Sequence, residues 1–367
     1  MGIIEQLTIF VSLLAAFAGV MIGFLFLTLK IKNQARNIFL ILFLWSLSID
    51  IFNDFLKDKE LFNLFSHLSI KLNTYLFIIP SLFLYLVTIS KDKKALWWLL
   101  LYVPGIFLNL FSYKDSELEE VLYELVYLLI NIPLLIISFY KLRKFKERLE
   151  SYYSYVENKT LSWIKVIMIT IVCLHVFMFV CGMLFINEEN QLLENSIDFI
   201  VTGVTFFIVY WVGYNGFQQI AHVEKVSEIE IPTEIIKVDI KIDESLEDLK
   251  YVELCNEIQK EKYFTNPNLT IKLLSELLTL KERELSSLIN LCAKKNFHHF
   301  INQFRITEFK KLINSEKAKQ YSILGLAKES GFSSKSTFYK AFKDSESITP
   351  SEYKKTLKCP NTCSRTS

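Results

Sequence analysis

The residues best suited to a specific interaction lie near the C-terminus, at 323–343. Ile323, Leu326 and Ala327 share one helical face, and the small Ala327 lets a second helix cross closely. Gly331 ends that helix, because left-handed backbone is cheap only for glycine. Ser333 or Ser334 can then cap a new helix by accepting backbone N–H bonds. On this second helix Phe338 and Phe342, four residues apart, face inward, and Lys335, Ser336, Tyr339, Lys340 and Lys343 are left for the outer face. Two short helices joined by a tight glycine turn make a helix-turn-helix. Its second helix would present this polar, cationic face to the major groove of double-stranded DNA.

The composite pattern is Leu326, Ala327, then Gly331, Phe332, Ser333, Ser334, Lys335, Ser336, then Phe338, Phe342, Lys343, closing with Thr349, Pro350, Ser351, Glu352 and Tyr353. It resembles the AraC/XylS family of bacterial transcription regulators, over residues 266–357. The resemblance implies two helix-turn-helix units joined by a long helix. Residues 269–278 look like the support helix of the first unit. Residues 282–291 look like its recognition helix, with Leu285, Leu288 and Ile289 inward and Arg283, Ser286 and Ser287 outward. The stretch 297–314 resembles the connecting helix. There Arg305 is expected to meet a phosphate or a carboxylate, positioning rather than specifying. Thr279, Lys294 and Ser347 stand where the family shows glycine, and Lys281 where a capping serine is common, so the first unit is expected to read DNA more weakly. His298 and His299 have no partners at metal-ligand spacing and read as helix-surface residues.

These elements sit at the end of a chain whose first part has a different solvent. The 367 residues are 51% hydrophobic with a mean hydropathy of +0.30, while 10 Gly and 7 Pro favour long helices over a loop-rich or all-β chain. Seven apolar segments are candidates to span a bilayer: 7–29, 38–55, 72–89, 95–111, 121–140, 161–186 and 197–217. Basic residues gather in alternate loops: Lys30, Lys32 and Arg36; Lys91, Lys93 and Lys94; then Lys141, Arg143, Lys144, Lys146, Arg148 and Lys159. The intervening loops hold fewer, Lys57 and Lys59, then Lys114, then none, and carry Glu117, Glu119, Glu120, Glu188 and Glu189. Positive charge is retained inside, so the expected topology is a multi-pass protein of the inner membrane, N-terminus outside and C-terminus cytoplasmic. The first apolar stretch lacks the basic leader and small-residue cleavage site of a secretory signal, and reads as a retained helix.

The expected fold is all-α. A seven-helix transmembrane domain (1–220) leads through an acidic linker with a helical end (221–261) to an AraC-type DNA-binding domain (262–358) and a polar tail (359–367). Residues 224–261 hold five Lys against twelve acids, and 262–367 hold nineteen Lys and Arg against nine acids. Residues 229–242 alternate like an edge strand, or form an extended linker, and a helical pattern starts near Ser245. Cys359 and Cys363 lack a second ligand pair, so no metal site and no cofactor are expected, and the six cysteines suggest no disulfide framework.

Ionisable groups within a bilayer mark candidate sites. Asp50, Asp54, His175 and Asp198 are the candidates for an outward-facing pocket, taking an extracellular or lipophilic small molecule or a peptide. No HExxH motif, P-loop or nucleophile elbow appears, so an enzyme is not expected. The leading expectation is a membrane-anchored transcription regulator that binds DNA, contacts membrane lipid and forms a homodimer. Its rival is a membrane receptor or scaffold whose basic C-terminal domain binds anionic lipid or a protein.

Overall fold

Long apolar runs with few breakers dictate helices, since a helix satisfies its backbone polar groups internally. The computed structural model describes residues 2–29, 34–56, 73–90, 97–111, 117–157, 160–185, 190–226 and 244–358. Those residues are all-helical, with one isolated antiparallel bridge between Tyr153 and Thr270. The chain divides into two compact units, Met1–Phe145 with Leu161–Ile229, and Lys146–Thr160 with Glu230–Ser367.

The first unit holds α1 (Ile3–Thr28), α2 (Gln34–Leu56), α3 (Tyr75–Ile89), a 3-10 turn (Trp97–Tyr102) running into α4 (Val103–Phe111), most of α5 (Glu117–Tyr152), α6 (Ser162–Phe185) and α7 (Gln191–Val226). Among the described residues, four helices are long and apolar enough to cross a membrane: Ile3–Thr28, Val121–Tyr152, Ser162–Leu184 and Gln191–Gln219. Asn37–Asn53, Tyr75–Ile89 and Trp97–Leu110 are shorter apolar helices. Within the segment expected at 95–111, the described residues change from 3-10 to α at Val103. Pro104 follows in the first turn of α4, where an N–H has no intrahelical partner to lose. On α1, Ala15 is fully buried, and a Cβ on Gly19 would collide with Ser48 Oγ of α2, so small residues set the approach of these two helices.

α5 overruns its expected end at 140. No Gly or Pro intervenes, and Leu142, Phe145 and Leu149 continue a buried stripe at helical spacing. Lys141, Arg143, Lys144, Lys146 and Arg148 therefore lie on a helix and not in a loop.

The second unit contains α8 (Glu244–Glu261), a 3-10 turn (Tyr263–Thr265), α9 (Ile271–Leu277), α10 (Glu282–Cys292), α11 (Phe297–Ile313), α12 (Lys317–Gln320), α13 (Ile323–Glu329), α14 (Lys335–Glu346) and α15 (Pro350–Lys358). The connection Lys146–Thr160 packs with this unit, a grouping that no sequence boundary suggested. A core of Ile306, Phe309, Ile313, Leu326, Ala327, Phe332, Phe338 and Phe342 ties α11 to the pair α13–α14. The expected strand at 229–242 and the tail cysteines Cys359 and Cys363 lie outside the described residues.

Candidate functional site

The pair α13–α14 forms as its residues dictate. Ser322 caps α13 by accepting from Gly325 N at 3.0 Å, and Ser334 caps α14 by accepting from Thr337 N at 3.1 Å. Between them Gly331 takes φ +98°, closed by Gly331 N to Lys328 O (2.9 Å) and Phe332 N to Ala327 O (3.0 Å). A Cβ at Gly331 would strike Phe264 O and lie 2.8 Å from Thr265 Cα, so the position needs glycine for space as well as conformation. Phe338 and Phe342 are fully buried, as expected of the inner face. Lys335, Ser336, Lys340 and Lys343 are exposed. Tyr339 is half-buried against the core, with Lys335 Nζ 5.6 Å from its ring centroid.

The pair α9–α10 repeats this corner. Thr270 caps α9 by accepting from Leu273 N at 3.1 Å, and Leu280 N bonds Ser275 O at 2.9 Å, the same spacing as Phe332 to Ala327. Thr279, in the place of Gly331, takes φ 55°. Lys294 (φ 51°) and Ser347 (φ 60°) are left-handed too, so all three positions where the resemblance implies glycine take the backbone that glycine favours. Leu285, Leu288 and Ile289 are buried; Arg283 is exposed, and Ser286 and Ser287 are half-buried. Lys281 gives α10 an N-cap without a side-chain bond.

Two expectations are corrected. Arg305 is 1% exposed, and its guanidinium donates to Phe264 O (2.8 Å), Ser154 O (3.3 Å), Asn302 Oδ1 (3.2 Å), Ser154 Oγ (3.0 Å) and Asn266 O (2.8 Å). All five donors are engaged inside the unit, so Arg305 braces the fold and has none left for a phosphate. His298 is buried, not on the surface: Nδ1 donates to Ser154 O at 2.8 Å, and Nε2 accepts from Asn302 Nδ2 at 3.1 Å. Burial holds its pKa down to about 4, against the bond to Ser154, which raises it. His299 is exposed, as expected.

Both corrections involve Ser154, and this segment continues onto the recognition face. Ser154 N donates to Leu269 O at 3.0 Å, and Tyr153 bridges Thr270. Three residues on, the Glu157 carboxylate accepts from the hydroxyls of Ser334 and Ser336, and from Thr337 Oγ1 at 3.0 Å, at the N-terminus of α14. Burial would raise the pKa of Glu157, but the three hydroxyl bonds outweigh it and hold the carboxyl below its ordinary value. No sequence signal marked this contact, because Glu157 and Ser334 are 177 residues apart.

In the first unit, Asp50 and His175 line one cavity of about 330 Å³, walled by apolar residues that include Phe43, Leu47, Ile79 and Met178. Tyr75 and Tyr127, which the sequence did not single out, complete its polar end. His175 Nε2 lies 3.0 Å from Tyr75 Oη and 2.6 Å from Tyr127 Oη, and Nδ1 lies 2.7 Å from Ile171 O. A nitrogen facing a carbonyl must carry the hydrogen, so Nδ1 donates and the single Nε2 lone pair accepts, from Tyr127 at the shorter distance, with Tyr75 and Tyr127 also hydrogen-bonded to each other. Asp198 is exposed and does not line it, and the Asp54 side chain lies outside the described residues. Asn109 of α4 ties down the entry to α3: Asn73 N donates to Asn109 Oδ1 (2.8 Å) and Asn109 Nδ2 donates to Asn73 O (2.9 Å).

The family model described as "Helix-turn-helix domain" matches residues 274–356, from within α9 to within α15, which supports a C-terminal DNA-binding domain of AraC type. No curated protein and no solved structure matches the chain.

Proposed function

We propose that this chain is a membrane-anchored transcription regulator, with two helix-turn-helix units reading double-stranded DNA on the cytoplasmic side and a seven-span membrane half acting as sensor. The observation that carries the reading is α14. It is fixed from below by Phe338 and Phe342, it is entered through a glycine corner, and it offers Lys335, Ser336, Lys340 and Lys343 outward within the matched region. Arg283 and Ser286 of α10 form the second reading face, while the Ser287 hydroxyl, expected to face outward, is enclosed. One such domain covers one half-site region, which favours a homodimer on DNA.

Membrane anchoring is supported by apolar side chains facing outward from the first unit. Phe17 is 66% exposed and Leu129 73%, in a quantity that a water-soluble surface does not carry. The basic end of α5 favours that end inside, and with it an external N-terminus. The cavity at Asp50 and His175 is the place for a small lipophilic signal, since its walls are apolar and its polar groups converge at one end.

The experiment is to map the genomic DNA bound by the intact chain. Discrete sites are expected, with occupancy reduced about tenfold in Lys340→Ala and in Arg283→Ala, each removing on the order of 1–3 kcal/mol of contact. His175→Phe should keep the sites but lose the dependence of occupancy on growth condition. Finding no sites under any condition overturns the reading. Unchanged occupancy in both charge variants removes the proposed faces.

A further inference from the structure

The segment 153–157 belongs to the connection between α5 and α6, yet it folds onto the second unit. Tyr153 pairs with Thr270 at the start of α9, and the fully buried Ser154 is gripped by Arg305 and His298 of α11. Glu157 then reaches α14. The strap thus touches the first helix pair, the connecting helix and the second pair in five residues. At its end three hydroxyls, from Ser334, Ser336 and Thr337, converge on one carboxylate. They do so at the positive end of a helix of 12 residues, where unsatisfied N–H groups favour an anion.

We propose that these three hydroxyls form an oxyanion site whose ligand on DNA is a backbone phosphate, and that Glu157 is the site's intramolecular occupant, so that the strap and duplex DNA compete for the same end of α14. The proposal rests on α14 being a DNA-reading helix. A carboxylate and a phosphate accept from hydroxyls alike, so one can stand in for the other. The substitution is exclusive, because Glu157 fills the donors and sets a negative charge where the phosphates must approach. The exposed Lys335 and Lys340, on the same helix, suit an incoming polyanion. The strap lies between two apolar helices of spanning length, so a shift of α5 against α6 is a physical means of withdrawing it.

The test uses the full chain in lipid nanodiscs and a duplex recovered by selection from a random library. Glu157→Gln and Glu157→Ala should each bind that duplex about tenfold more tightly than the unaltered chain, a change of about 1.4 kcal/mol. Adding Ser336→Ala to Glu157→Gln should cancel most of the gain, because the phosphate then loses a donor. Equal affinity of the unaltered and Glu157-substituted chains, on a duplex both bind, overturns the competition and leaves the DNA reading intact. Failure of every form to bind any duplex overturns that reading, and the proposal with it. A chain carrying both Glu157→Cys and Ser336→Cys gives a check independent of affinity ranking. Oxidation should abolish binding and a thiol reductant should restore it; binding undiminished after verified cross-linking overturns the proposal.

Discussion

Gly331 and Thr279 hold the same corner of two helix pairs with opposite fitness for it. A left-handed backbone costs an L-residue on the order of 1–2 kcal/mol, and a β-branched residue suffers most. Thr279 bears that cost at φ 55°, while Gly331 at φ +98° does not. Thr279→Gly should therefore stabilise the C-terminal unit by about 1 kcal/mol. Gly331→Ala should destabilise it by about 3 kcal/mol or more, from backbone strain together with a Cβ driven into Phe264 O. Unfolding followed by hydrogen exchange at the α9 and α13 amides checks both signs. Destabilisation by Thr279→Gly would show that the two corners are not equivalent. Gly331 is legible in the sequence because a local turn dictates it. Arg305 is not: an arginine in a basic domain reads as a phosphate contact until Ser154, 151 residues away, is found against it.

Among the elements, α11 depends on one protonation state. His298 must be neutral, since its Nε2 lone pair accepts from Asn302, whose Oδ1 is committed to Arg305. Its folded pKa of about 4 lies below the ordinary 6.5. The unfolded chain therefore takes up a proton that the folded chain refuses. Stability from this site is complete above pH 6.5 and is lost as pH falls from 6.5 toward 4, by on the order of 3 kcal/mol. The charges of His299, Arg305 and Lys340 act in the same direction. Urea unfolding of the C-terminal unit at pH 7.5 and 5 should show the fall, and His298→Gln should flatten it; an equal fall in both chains assigns the loss to other groups. At this scale the inner faces of α10 and α14 follow from apolar spacing alone. The length of α5 does not, because a basic run after an apolar span reads as a loop when helical periodicity continues beneath the charge. The Tyr75–Tyr127–His175 cluster was equally hidden, as each tyrosine alone resembles an interfacial aromatic.

At the scale of the whole molecule, the contrast between an apolar first part and a basic last third is visible in composition, and both units keep to it. What composition cannot reveal is that the second unit is assembled from two distant stretches of chain, Lys146–Thr160 and Glu230–Ser367. One consequence concerns what happens when the chain is cut. If the DNA-binding part were joined to the rest only by the residues between α7 and α8, severing them would set it free. The strap supplies a second, non-covalent attachment, with Ser154 and Glu157 held by α11 and α14. A protease site placed at 235, once cleaved, should leave the C-terminal fragment sedimenting with membranes. Disabling the strap by Ser154→Pro with Glu157→Ala should shift that fragment to the supernatant. Full release from the otherwise unaltered cleaved chain would show that the strap does not retain it. By this logic a single cut is no shortcut to a diffusible regulator: the fragment must also lose its grip on the piece of chain that was synthesised before it.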